Sequence, residues 1–130
     1  MLHFLSLPAI YRWLITILFV GLVVMLSVTP GRAQAGDSFF VWLVVNTPTP
    51  LQKFMHVVIY AALALLLMWS LEAIESLVAR IALTFVLTVS LGAVLEWYQT
   101  LVPGRFGTII DALLNTIGVV AGLLVGLVIL

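Results

Sequence analysis

The stretch IALTFVLTVSLGAVLEWYQTLV, residues 81–102, decides the fold. It follows Arg80, contains no proline and carries one charged side chain, Glu96. Its apolar residues run continuously instead of alternating as in a barrel strand. Hydrocarbon offers a backbone no hydrogen-bond partner, so a segment that enters it must close its own bonds, and a helix does this within one segment. Crossing about 30 Å at about 1.5 Å per residue takes about 20 apolar residues. This stretch has that length and predicts a transmembrane helix.

Three more segments of the same kind flank it, at 10–29, 53–71 and 108–130. The link Pro103-Gly104-Arg105-Phe106-Gly107 is short and rich in turn formers, which makes the third and fourth segments antiparallel neighbours. Glu72 to Arg80 joins the second and third on the opposite side. Residues 30–52 form the one long loop, punctuated by Pro30, Gly31, Gly36, Pro48 and Pro50. Within it FFVWLVV, residues 39–45, is too short to span. It reads either as an aromatic patch at headgroup depth or as a loop packed on the bundle. The expectation is an all-α integral membrane protein, a four-transmembrane-helix bundle forming one domain over residues 1–130.

Composition points the same way. The chain is 65% hydrophobic and 8% charged, with mean hydropathy +1.34, against about 45–50% and about 25% for soluble domains. Five Lys and Arg balance five Asp and Glu. No basic face remains for nucleic acid. The absence of cysteine excludes a disulfide framework, a thiol nucleophile and a Cys-ligated metal. With four spans the two termini share a side, yet Arg12 and Arg80 then oppose Arg32, Lys53 and Arg105, so the excess of positive charge fixes no orientation. Ala33-Gln34-Ala35 after the first segment resembles a signal-peptide cleavage site, but that segment exceeds the roughly 7–15 residues of a signal core. The first helix is expected to be retained.

The informative residues are polar ones inside apolar segments. At about 100° per residue, Lys53, His56 and Tyr60 fall on one face of the second segment. Thr88, Gly92, Glu96 and Gln99 share a sector of about 80° on the third, and Asp111, Asn115, Gly118, Gly122 and Gly126 do so on the fourth. Lys53, His56 and Tyr60 begin their helix, Glu96 and Gln99 end theirs, and Asp111 and Asn115 begin theirs. The antiparallel order brings them all, with Arg105, to one membrane face. A charge inside a transmembrane helix costs about 2.5–3.5 kcal/mol on insertion scales, so such groups face inward and pair. Lys53 and Arg105 are expected to pair with Glu96 and Asp111. A structural lock explains one or two such residues. The number gathered here favours a site for a polar or anionic group, with charge pairs bracing the helices as the alternative.

Gly118-x-x-x-Gly122-x-x-x-Gly126 lets helix backbones approach closely. It serves packing of the fourth helix within the chain or, alternatively, a homodimer. Met55 and Met68 read as packing residues. His56 has only His3 as a possible companion, so no metal centre or other cofactor is expected.

In order along the chain, Lys53-x-x-His56-x-x-x-Tyr60, Glu96-x-x-Gln99 and Pro103-Gly104-Arg105-x-x-Thr108-x-x-Asp111-x-x-x-Asn115-x-x-Gly118 resemble the VanZ-like family of bacterial membrane proteins. The resemblance covers about residues 51–122. Gln52 stands where that family often has Asp, and Thr108 where it often has Ser. The resemblance implies four helices in the bacterial cytoplasmic membrane, cytoplasmic termini and an external polar cluster. It also suggests glycopeptide tolerance, an analogy of family and not a reading of this site. Two classes of function follow. In one, the cluster binds a lipid headgroup or cell-envelope precursor, or serves as an accessory factor, with Lys53 and Arg105 holding the anion. In the other, an intramembrane enzyme uses His56 or Glu96 as general acid or base on a lipid-linked substrate. The first is preferred, because no nucleophile motif accompanies the acid–base residues.

Overall fold

A computed structural model describes residues 6–130. Within them the chain forms α1 (Ala9–Val28), α2 (Phe39–Asn46), α3 (Thr49–Ser70), α4 (Leu77–Gln99) and α5 (Ile109–Ile129). α1, α3, α4 and α5 are 20, 22, 23 and 21 residues long and apolar enough to cross a membrane, reaching about 30–35 Å at about 1.5 Å per residue. Their outer faces carry exposed residues such as Leu18, Phe54, Val86 and Val128. That pattern suits lipid, which solvates apolar side chains as well as a protein interior does. The protein is an all-α membrane four-helix bundle with one short additional helix.

α3 is the hub, packed against α1, α4 and α5, and α3 with α5 is the most extensive pair. The core joins Leu63, Ala64 and Met68 of α3 to Val23 of α1, Leu95 of α4, and Val119 and Leu123 of α5. The glycine face of α5 lies against α3. A Cβ built on Gly118 would stand 2.3 Å from the carbonyl oxygen of Val57, and one on Gly122 would stand 2.2 Å from that of Ala61. At Gly118 and Gly122 this face is therefore filled within the chain.

Several boundaries differ from expectation. α3 starts at Thr49, ahead of Lys53, with Pro50 in its first turn, where the missing N–H would have no helical partner anyway. α4 starts at Leu77 behind a Ser76 cap whose hydroxyl oxygen accepts from the Ala79 N–H, and it stops at Gln99. The segment 39–45 is helical, which neither reading of it specified. It is the two-turn helix α2, with Val41 and Val44 buried and Phe39 and Trp42 exposed and stacked.

A second polar group, not anticipated from the sequence, closes the opposite end of the bundle. Arg12 of α1 pairs with Glu72, donates to the Trp69 carbonyl at 3.2 Å and lies over the Trp69 ring. One turn deeper, the hydroxyls of Thr16 and Ser70 meet at 2.8 Å. α1 is thus bonded to α3 at this end and is an integral part of the bundle. The antiparallel order makes a direct prediction: reporters fused after Ala35 and after Arg105 will report one side of the membrane, and a fusion after Glu75 the other. Opposite signals from Ala35 and Arg105 would contradict the order of spans.

Candidate functional site

The polar end of the bundle is built where α3 begins, α4 ends and α5 begins. Thr108 caps α5: its Oγ1 accepts from the Asp111 N–H at 3.0 Å and its hydroxyl donates to Asp111 Oδ2 at 2.7 Å. The cap fixes the start of α5 about two turns ahead of Asn115. Gly92 of α4 leaves the room Asn115 occupies, since a Cβ there would meet Tyr60 at 3.0 Å and the Asn115 amide at 3.3 Å. The link between α4 and α5 folds tightly. Gly104 adopts φ +75°, which suits glycine, and the Gly31 N–H donates to the Pro103 carbonyl at 3.0 Å. The loop after α1 is thereby held against the Arg105 turn.

At the centre a relay crosses three helices. Asn115 Nδ2 donates to Glu96 Oε1 at 3.4 Å, and Asn115 Oδ1 lies 2.7 Å from His56 Nδ1. The other Glu96 oxygen accepts from the Thr108 N–H at 3.3 Å. Orientation follows from the carboxylate, which can only accept. It turns the amide nitrogen of Asn115 toward itself and leaves the amide oxygen for His56, whose Nδ1 must then carry the hydrogen. A neutral His56 would keep Nε2 as an open acceptor. Glu96, Gln99, Asn115 and Tyr60 are buried, His56, Arg105 and Asp111 are half-buried, and Lys53 is exposed.

The expected pairing of Lys53 and Arg105 with Glu96 and Asp111 is not made. Among the described residues Arg12 forms an ion pair with Glu72, and Glu96 Oε1 lies 3.6 Å from His56 Nδ1. Glu96 is occupied by a histidine, an amide and a backbone N–H, and Asp111 by its own cap. Burial lowers the tendency of the Arg105 guanidinium to hold its proton, while the nearby Glu96 and Asp111 charges raise it. Asp111 keeps its other oxygen, Oδ1, buried without a partner.

Two cavities open on this group and share the Val44, Gln52, His56, Gln99 and Arg105 walls. One, of about 380 Å³, is polar and holds Lys53, Asp111 and Thr108. The other, of about 280 Å³, extends between α1, α2 and α3 along Val23, Leu26, Leu43, Leu51, Met55 and Ile59. Ligand pockets typically span about 300–1,000 Å³. The structure thus brings Lys53, His56, Gln99, Arg105 and Asp111 to a common polar cavity, sets Tyr60 and Glu96 on the apolar one, and buries Asn115 behind them.

Gln52 escaped the sequence reading as a contributor. Its Nε2 donates to the carbonyls of Thr47 at 2.8 Å and Val44 at 3.2 Å, tying the end of α2 to the start of α3. An Asp there, as the resemblance led one to expect, could not donate to those carbonyls. The only signal was its place beside Lys53. Among the described residues no three His, Asp or Glu side chains cluster closely enough to hold a metal ion, and His3 lies outside them.

No curated protein and no solved structure matches the chain. A family model described as VanZ/LLP1 matches residues 5–130, nearly the whole sequence. The motifs on the three packed helices and the four spans agree with that match, and the chain is a membrane protein of the VanZ/LLP1 family.

Proposed function

We propose that the polar end of the bundle binds an anionic group of a cell-envelope or lipid molecule, in the bacterial cytoplasmic membrane with the site at its outer face and the termini inside. The observation that carries this reading is the pair of cations. Lys53 and Arg105 border one cavity, and among the described residues neither lies within 4.0 Å of a carboxylate. A lock would have placed the nearby carboxylates on those cations, because an unpaired charge near hydrocarbon is costly. Here Glu96 and Asp111 are turned to other partners, and the cations face a space an anion can fill. Tolerance to glycopeptides, the analogy the family offers, would follow if the bound group belongs to the envelope those drugs act on.

The test is retention of an anion. Protein solubilised from its native membrane should carry an anionic adduct in native mass spectrometry, and Lys53→Gln with Arg105→Gln should remove it without loss of folded protein. The same adduct at undiminished occupancy on the doubly substituted protein would sink the proposal.

One observation favours a second reading, an intramembrane enzyme acting on a lipid-linked substrate. His56 is backed by Asn115 and Glu96 and borders both cavities, and a histidine held in one tautomer beside a carboxylate is the common form of a general base. A product formed from lipid-linked substrate by the purified protein, and lost in His56→Ala, would select this reading over simple binding.

A further inference from the structure

We infer that the two cavities form one site for a membrane lipid with a phosphate headgroup, the phosphate between Lys53 and Arg105 and part of a hydrocarbon chain along the apolar arm. This rests on the proposed anion-binding reading and adds to it the class of ligand. A site for a small free anion needs only the polar cavity. Here a second cavity shares five of its walls with the first and runs from Arg105 and His56 toward Val23, Leu26 and Ile59. Its apolar lining comes from the spanning helices α1 and α3 together with the short α2, so it reaches in between spanning helices.

Charge complementarity fits a phosphate. Lys53 and Arg105 set two positive charges at the mouth against the single carboxylate of Asp111, and Glu96 behind them is held by His56, Asn115 and Thr108. A guanidinium can grip a phosphate with two parallel N–H bonds, and an ammonium adds a point charge. Arg105 is held for this on the Gly104 turn, against which Gly31 docks so tightly that a Cβ on Gly31 would stand 2.1 Å from the Gly104 carbonyl oxygen. The α2 helix, tied down by Gln52, forms the rim through Leu43 and Val44. An amphiphile enters such a site from the bilayer with its headgroup already at interfacial depth.

The test is titration of the purified, delipidated full chain by native mass spectrometry with three probes: dioleoyl phosphatidylglycerol, dioleoylglycerol and glycerol 3-phosphate. Phosphatidylglycerol should bind at least about tenfold more tightly than either fragment, a difference of about 1.4 kcal/mol. Arg105→Gln should weaken it about tenfold, the loss expected of one charged hydrogen-bonding group. Ile59→Trp, which fills the apolar arm, should weaken phosphatidylglycerol and leave glycerol 3-phosphate unchanged; Leu26→Phe serves the same purpose should the tryptophan prevent folding. Equal binding of glycerol 3-phosphate and phosphatidylglycerol would overturn the lipid assignment and leave the anion site standing. Equal binding of dioleoylglycerol and phosphatidylglycerol would overturn both, as would no binding of any probe.

Discussion

Gly122→Leu should leave almost no folded protein in the membrane, and Gly122→Ala should lower its thermal stability by several degrees, whereas Gly21→Ala should change neither. The two sites share a chemistry and differ only in surroundings. A Cβ on Gly21 meets nothing within 4 Å, but one on Gly122 stands 2.2 Å from the Ala61 carbonyl oxygen. Ordinary contact begins near 3.4 Å. A backbone oxygen cannot rotate aside, so α5 must part from α3 by about 1 Å along their most extensive contact. Overpacking usually costs about 1–3 kcal/mol, a large part of a marginal stability of about 5–15 kcal/mol. Gly118→Ala, at 2.3 Å from the Val57 carbonyl oxygen, should behave alike. Gly126→Ala should be milder, because its nearest neighbour is the flexible thioether of Met68. The pair Gly118→Ala with Gly122→Ala should cost less than the sum, since helices already parted admit the second methyl cheaply. Solubilised yield and melting of the purified protein measure all of this. Full stability in Gly122→Ala, with only the oligomeric state altered, would show that the glycine face joins two chains instead of two helices.

How much of this was legible in the sequence depends on which force decides each feature. The spans were legible, because hydrocarbon permits a crossing chain almost nothing but a helix. Their ends were less so. Pro48 and Pro50 read as loop punctuation, which places the first turn of α3 in the loop, although a proline in a first turn forfeits no bond. Arg80 read as a boundary, yet α4 begins before it, since a long side chain can reach the interface from inside a helix. α2 carries no period long enough to separate a short helix from a packed loop.

Within the candidate site, angular sector and depth sufficed to bring His56, Glu96 and Asn115 to one end. Who bonds whom did not follow, because partner choice depends on ångström-scale positions. Opposite charges at one face suggested ion pairs, but Glu96 lies nearer His56 and Asn115 than any lysine or arginine. The Arg12–Glu72 pair was within reach of the same reasoning. The start of the first helix and the end of the second share a face, and the two charges there were not matched.

Glu96→Gln should abolish function while leaving the protein folded, and the relay explains why both halves hold. Glu96 accepts at one oxygen from the Thr108 N–H and at the other from Asn115 Nδ2. A glutamine can keep its oxygen on Thr108 but must present an NH2 to Asn115. Asn115 then turns over, accepts through Oδ1 and offers Nδ2 to His56 Nδ1, which can take it only by giving up its hydrogen. The proton of His56 moves to Nε2. The two bonds made by Asn115 are remade with reversed sense and the Thr108 bond is kept, so the number of hydrogen bonds is unchanged. At about 1 kcal/mol net for each, stability should shift by no more than about that amount. What changes is the open nitrogen of His56, from acceptor to donor, and the loss of one negative charge behind Arg105. A site that depends on that nitrogen or that charge fails, whereas a lock that needs only satisfied bonds survives. Nitrogen NMR of labelled His56 reports which ring nitrogen carries the hydrogen, membrane abundance reports folding, and the phenotype of a deletion strain carrying the variant, glycopeptide tolerance included, reports function. Wild-type phenotype in a folded Glu96→Gln protein whose His56 is protonated on Nε2 would make the relay a brace and nothing more.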